Sequence, residues 1–164
     1  MLFILNLVPL NNHTKFGETS GSLSYNFDYL LYLAKRDGTK GYEIFPDPPL
    51  QSYLKASLTK NTFEKILPSC FHETSIGYHD DSMIMIRGAD PSLYTSYEGA
   101  LILTKDHQTW LAYININDDL KKQIIVASPQ SLNSIAMPTP LKEWVEELLP
   151  HMDYKSIVYK KVFP

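Results

Sequence analysis

Two apolar runs separated by four polar residues do more than any other feature to restrict what this chain can become. Residues 99–104 (GALILT) and 109–116 (TWLAYINI) are rich in aliphatic and aromatic side chains, the composition of strands. The intervening 105–108 (KDHQ) is too short to cross over a sheet, so the two runs must pair antiparallel as a hairpin. A second polar turn at 117–119 leads to another apolar run at 123–128, and three strands in succession make a meander. Period-two alternation places Trp110, Ala112, Ile114 and Ile116 on one face of the middle strand and Leu111, Tyr113 and Asn115 on the other. The second face is amphipathic rather than polar, which calls for a helix or a partner over part of it.

The flanking chain supplies the rest of an α+β layout. An apolar run at 2–8 reads as a strand. Phe27, Leu30, Leu31 and Ala34 fall at helical spacing within 23–36, with Asp37 and Gly38 as the stop. Residues 41–45 read as a short strand and 50–58 as a helix of about two turns. Asn61 and Glu64 have capping-box spacing, and the short helix they open is expected to stop at Pro68. Runs at 71–78 and 83–87 read as two strands joined by the polar turn 79–82.

The clearest helix is 140–149. Thr139 is expected to cap it, with Pro140 in the first helical position. Leu141, Trp144, Val145 and Leu148 form one apolar stripe, Glu143, Glu146 and Glu147 face water, and Pro150 ends it. Residues 156–163 read as a last strand, whose Lys160 and Lys161 suit a sheet edge. The fold expected is a largely antiparallel sheet with a β-meander in the second half and two to four helices packed on it. At 164 residues, of which 44% are hydrophobic, the chain fits one globular domain spanning 1–164.

Charge and cysteine usage narrow the function classes. The net charge is −3 and the only arginines are Arg36 and Arg87, a poor footprint for nucleic acid. Cys70 is alone, so no intramolecular disulfide can form, which fits a reducing compartment. The apolar N-terminus has no basic flank or small-residue cleavage site, is interrupted by Asn6 and Pro9, and is too short to span a membrane. A cytoplasmic protein without a membrane partner is the expectation.

Catalytic signatures are weak. Cys70 and His72 are two residues apart, but nothing in the sequence orients the imidazole, and an incidental cysteine is the simpler reading. His72, His79, Asp80 and Asp81 lack zinc or EF-hand spacing and read better as turn chemistry. No glycine-rich phosphate loop and no GxSxG occurs. His13 and His151 have no nearby partner. No cofactor, metal or catalytic residue is expected.

What remains is an uneven charge distribution. Between His72 and Asp119 lie eight acids (Glu73, Asp80, Asp81, Asp90, Glu98, Asp106, Asp118 and Asp119) and two bases (Arg87 and Lys105), whereas the other residues hold ten acids and thirteen bases. The acids sit mostly in turns, and Tyr78, Tyr94, Tyr97 and Tyr113 lie near them. Gathered on one side, they would favour a basic partner, with tyrosines as rigid amphipathic contacts or simply as lining of a half-buried sheet. The candidate contact residues are Tyr78, Asp80, Asp81, Asp90, Tyr94, Tyr97, Glu98, Asp106, Asp118 and Asp119.

The hairpin from Tyr97 to Tyr113, the acidic turns and the capped C-terminal helix together resemble bacterial immunity proteins that neutralise polymorphic toxins, including those of contact-dependent growth inhibition. That resemblance implies a small cytoplasmic α+β protein without catalytic residues, which blocks the active site of a basic toxin, often a nuclease. It transfers no site residue, because the group is defined by role rather than by a motif. The alternatives are a small hydrolase with carboxylates and His79 or His107 in a cleft, and a homo-oligomeric subunit pairing through the Lys160 edge strand or the amphipathic sheet face.

Overall fold

A computed structural model gives the fold and describes residues 24–36, 41–93, 96–128, 137–160 and 162–163. The strand expected at 2–8 and the stop at Asp37 and Gly38 lie outside the described residues.

Six strands form one sheet: β1 (Glu73–His79), β2 (Met83–Ala89), β3 (Glu98–Thr104), β4 (Thr109–Ile116), β5 (Lys122–Ala127) and β6 (Ile157–Tyr159), each beside its sequence neighbour. β1 to β5 pair antiparallel through short turns, and β6 runs parallel to β5. A parallel neighbour needs a long connection, and the segment between β5 and β6 is long enough to hold a helix. The fold is therefore α+β with a largely antiparallel sheet and a meander.

The helical elements are α1 (Phe27–Lys35), α2 (Gly41–Ile44), α3 (Pro48–Ser57), a π turn (Thr62–Ile66) running straight into α4 (Leu67–Cys70), and α5 (Thr139–Leu148) with a trailing 3-10 turn (Leu149–His151). They lie on both faces of the sheet. Leu101, Leu103, Leu111, Tyr113 and Ile125 pack with side chains from α1 to α4 and with Val162 and Phe163. Ala100, Ile102, Trp110, Ala112, Ile114, Ile124 and Val126 pack with Leu141, Trp144, Val145 and Leu148 of α5 and with Met137 and Met152. The cover expected over the amphipathic face of β4 is thus the layer built from α1 to α4.

Local chemistry explains most boundaries. Asn26 caps α1 by accepting from the Tyr29 amide at 3.1 Å, and Asp47 caps α3 by accepting from the Leu50 amide at 3.0 Å. Pro48 and Pro49 open α3, where a missing amide leaves no bond unmade. Tyr25 ties the start of α1 to the β3–β4 turn by donating to the Thr104 carbonyl at 2.9 Å.

Five expectations need correction. Residues 41–45 are a helical turn, α2, rather than a strand. Gly41 approaches β1 so closely that a Cβ there would lie 2.8 Å from the Ser75 amide nitrogen, so this turn seals part of the β1 edge. Asn61 does not cap its helix, because it is already helical; Thr59 stands there instead, its hydroxyl 3.4 Å from the Thr62 amide and 2.8 Å from the Thr62 hydroxyl. Pro68 does not end that helix. The π turn shifts the bonding register, with Leu67 donating to Thr62, and Pro68 falls in the first turn of α4, where no donor is missed. Thr139 does not cap α5 but is its first residue, while the extended Pro138 precedes it and its carbonyl accepts from Leu141 and Lys142. The last strand spans Ile157–Tyr159 only, after which Val162 and Phe163 leave the sheet for the core.

A paired glycine contact fixes how α4 meets the sheet. Gly88 and Gly99 are opposite each other on β2 and β3. A Cβ on Gly88 would lie 2.4 Å from the Cys70 carbonyl oxygen, and one on Gly99 would lie 2.6 Å from the Phe71 ring. Neither neighbour is free to move, because Phe71 is buried and stacks on Phe45 with centroids 5.0 Å apart. Gly99→Ala should therefore destabilise the fold by about 1–3 kcal/mol through overpacking, read as a lower urea midpoint at unchanged slope. An unchanged midpoint would show that the ring can retreat.

Candidate functional site: an acidic cleft beside Arg87

The meander sends successive turns to opposite ends of the sheet, and this divides the acids. At one end lie Asp80 and Asp81 of the β1–β2 turn and Asp106 of the β3–β4 turn. The two turns touch, with Lys105 N donating to the Ser82 carbonyl at 2.9 Å. Tyr78 joins this end by donating to Asp80 at 2.8 Å. At the other end lie Asp90, Tyr97 and Glu98 of the β2–β3 connection and Asp118 and Asp119 of the β4–β5 turn. Tyr94 lies outside the described residues. The nine described candidates form two groups, not one.

The first group is largely spoken for. Asp80 organises its turn, accepting from the Ser82 amide at 2.7 Å, the Ser82 hydroxyl at 2.8 Å and the Met83 amide at 2.8 Å. Chiefly the Ser82 hydroxyl, with the turn amides and Tyr78, pulls its carboxyl down to about 2. The same bond to Asp80 raises the Tyr78 phenol. Asp81 pairs with Lys35 at 2.6 Å, which lowers its carboxyl as well. Asp106 accepts from the Thr104 hydroxyl.

At the far end Asn117 rather than an aspartate holds the β4–β5 turn, accepting from the Asp119 and Lys121 amides. Asp118 and Asp119 are exposed beside Lys121 and Lys122. Asp90 is lowered, chiefly by the Ser92 hydroxyl. Of the aromatic candidates, Tyr78 is exposed and Tyr97 half-buried. Tyr113 is buried, and loss of solvent pushes its phenol up to about 12.

The acids that come together around a concavity include two absent from that set, Glu73 and Glu147. A cleft of about 590 Å³ opens between α5 and the β1–β2 hairpin, lined by Glu73, Ser75, Arg87, Glu98, Glu147 and His151 among others. Cross-strand register explains its floor. Glu73 pairs with Ala89, Ala89 with Glu98, Ser75 with Arg87 and Arg87 with Ala100, so these residues share the face that α5 covers further along at Ala100. β1 is exposed or half-buried along its length, so the α5 layer stops short of it and leaves a ledge. Glu147 and His151 form the opposite wall. Glu143, one turn before Glu147, is near enough to Tyr78 to raise its phenol slightly.

Arg87 is the one guanidinium in the cleft. Its Nη2 lies 3.9 Å from Glu147 Oε2, with the two side chains 38% and 65% exposed. Its stem crosses β1 at Gly77, where the pairing shifts by one residue. A Cβ on Gly77 would lie 2.6 Å from Arg87 Cδ and 2.7 Å from Cγ, so only glycine leaves room for this path. Sequence reasoning put Glu143 and Glu147 on a solvent face, correctly, but nothing in the sequence places that face beside β1. The one available signal was the i,i+4 spacing of the two glutamates.

Other candidates take definite places. Cys70 is buried and its thiol is pushed up to about 12 by desolvation, so it does not supply a thiolate at neutral pH. His72 and His79 flank β1 at opposite ends, roughly 20 Å apart at strand rise, too far to share a metal. Among the described residues no group of three or more metal-ligating side chains converges. His79 and His107 lie at the end of the sheet away from the cleft. His107 lines a smaller cavity of about 250 Å³ near the start of α1, with Tyr25, Asp28 and Lys105. No helix among the described residues is long and apolar enough to cross a membrane.

Compared with known proteins, the chain matches no family model, no curated protein and no solved structure.

The Asp80 turn carries a pH dependence. A carboxyl lowered in the folded state stabilises it above the unfolded value of about 3.9, and that stabilisation is lost as pH falls towards the folded value. Comparing wild type with Asp80→Asn by urea denaturation should show a constant gap above about pH 5, of about 1 kcal/mol because the turn is solvated. The gap should close between about pH 4 and 2. A gap independent of pH would show that the carboxylate charge plays no part.

Proposed function

We propose that this protein is an inhibitor of the immunity type, which binds a basic protein toxin of the nuclease class and occludes its active site with an acidic, aromatic-flanked surface. The observation that carries this reading is the ledge on β1 and β2 where Glu73, Glu98 and Glu147 line an open cleft holding one arginine. Carboxylates presented this way can stand in for the phosphates that a nuclease's lysines and arginines bind. Tyr78, 39% exposed beside the same hairpin, offers a rigid contact at low entropic cost. Binding rather than turnover is what such a surface does, and the bacterial cytoplasm is where an immunity protein would act.

Two physical features support this choice. The acids at the other end of the sheet are engaged with Lys35, Ser82 and Thr104, which ties them to their own turns rather than to a concave surface. The apolar faces of β3 to β5 that an oligomer would pair are already covered by helices, and β6 offers only three residues for edge pairing.

Complementary charge acts mainly on encounter. Association with a basic nuclease toxin, captured by co-purification and followed by stopped flow, should slow by about tenfold or more between 50 mM and 500 mM salt. Dissociation should change much less. A salt-insensitive association rate with a basic partner would remove the steering role, and failure to retain any basic toxin would remove the reading itself.

A further inference from the structure

The groove between α5 and the β1–β2 hairpin contains its own cation, and that cation is loosely held. We propose that the groove docks a basic segment of the partner protein, which inserts one long cationic side chain against Glu147 in place of Arg87. This rests on the cationic-partner reading above and gives it a location and a mechanism.

Charge complementarity selects the occupant. Glu73, Glu98 and Glu147 line the groove and Glu143 extends it along α5, while Arg87 is the only lysine or arginine among the lining residues. The volume, about 590 Å³, lies within the range of sites that enclose a side chain or small ligand. A second copy of this chain fits poorly, because its net charge of −3 opposes the same surface. Strand addition at the β1 edge is impeded by α2 at Thr74 and Ser75 and by the irregularity at Gly77.

Arg87 shows how a guanidinium enters. Its stem lies over Gly77 and its head reaches Glu147 at 3.9 Å, longer than a direct hydrogen bond. Both side chains retain substantial exposure, so water and salt screen the pair and separating them costs little. An arginine or lysine from a partner can approach Glu147 from the open side, and its arrival with further contacts displaces Arg87 towards solvent. Arg87 thus acts as an internal competitor, which lowers affinity for isolated cations and leaves a multiply basic segment to bind.

A labelled hexa-arginine peptide followed by fluorescence anisotropy at 20 mM salt tests this. Glu147→Gln should weaken binding about fivefold, whereas Asp119→Asn, which removes the same charge from the β4–β5 turn, should change it less than twofold. Arg87→Met keeps the stem over Gly77, removes the competitor and should tighten binding about threefold or more. Equal losses for Glu147→Gln and Asp119→Asn would overturn the groove while leaving a cation-binding protein. Weaker binding by Arg87→Met would overturn displacement, provided its thermal midpoint matches wild type. If Arg87→Met shifts the midpoint, Arg87→Gln and Arg87→Lys decide the same point, with lysine expected to behave like wild type. No binding of hexa-arginine by the wild type would overturn both this proposal and the cationic-partner reading.

Discussion

The structure depends on one constraint: the middle of the sheet is apolar on both faces. β3, β4 and β5 bury most of their residues, on both faces, as strands do when covered on two sides. One face receives α1 to α4 and the returning C-terminal residues. The other receives α5, a single ten-residue helix. A helix of that length is about 15 Å long and about 10 Å wide. Six strands at about 4.8 Å spacing are some 24 Å across. Whichever way α5 lies, it cannot cover the whole face, and the apolar residues of β3 to β5 hold it there. β1 and part of β2 are left as the uncovered margin.

The polarity of that margin follows. Positions that would be apolar under a helix are Glu73, Ser75 and Arg87 here, and the neighbouring Glu98 opens β3 at the same end. α5 then contributes its outer residues, Glu143 and Glu147, as the second wall. The cleft is therefore a by-product of a layer mismatch, with its chemistry set by side chains outside the apolar core. The close contacts between the sheet and α4 lie on the opposite face, at Gly88 and Gly99 under Cys70 and Phe71. This separation means that substitutions at the carboxylates act on charge with little effect on the core.

Legibility in the sequence follows the range of the forces involved. Period-two alternation in β4 and the stripe of α5 are local patterns, and both identify their elements and buried faces. The meander follows from turns too short for any other connection. The acidic grouping fails for a reason the same meander contains: consecutive turns alternate ends, so acids close in sequence are separated by a strand length. α2 carries strand-like residues, but its conformation is set by how Gly41 meets β1, which is a tertiary contact. Pro68 and Asn61 mislead because both rules assume a regular α-helix beginning at Asn61. Thr59 starts the helix earlier, and a π turn carries the register past the proline.

Arg87 links the two halves of this account. Arg87 is the one lysine or arginine lining the cleft beside Glu73, Glu98 and Glu147. The guanidinium reaches Glu147 without being buried, since its head stays partly in water while its stem covers Gly77. A buried, bidentate arginine would hold Glu147 more firmly and would be hard to displace. A long, screened contact leaves the surface available. The same weakness that makes the ion pair negligible for stability is what suits it to exchange with a cation from outside.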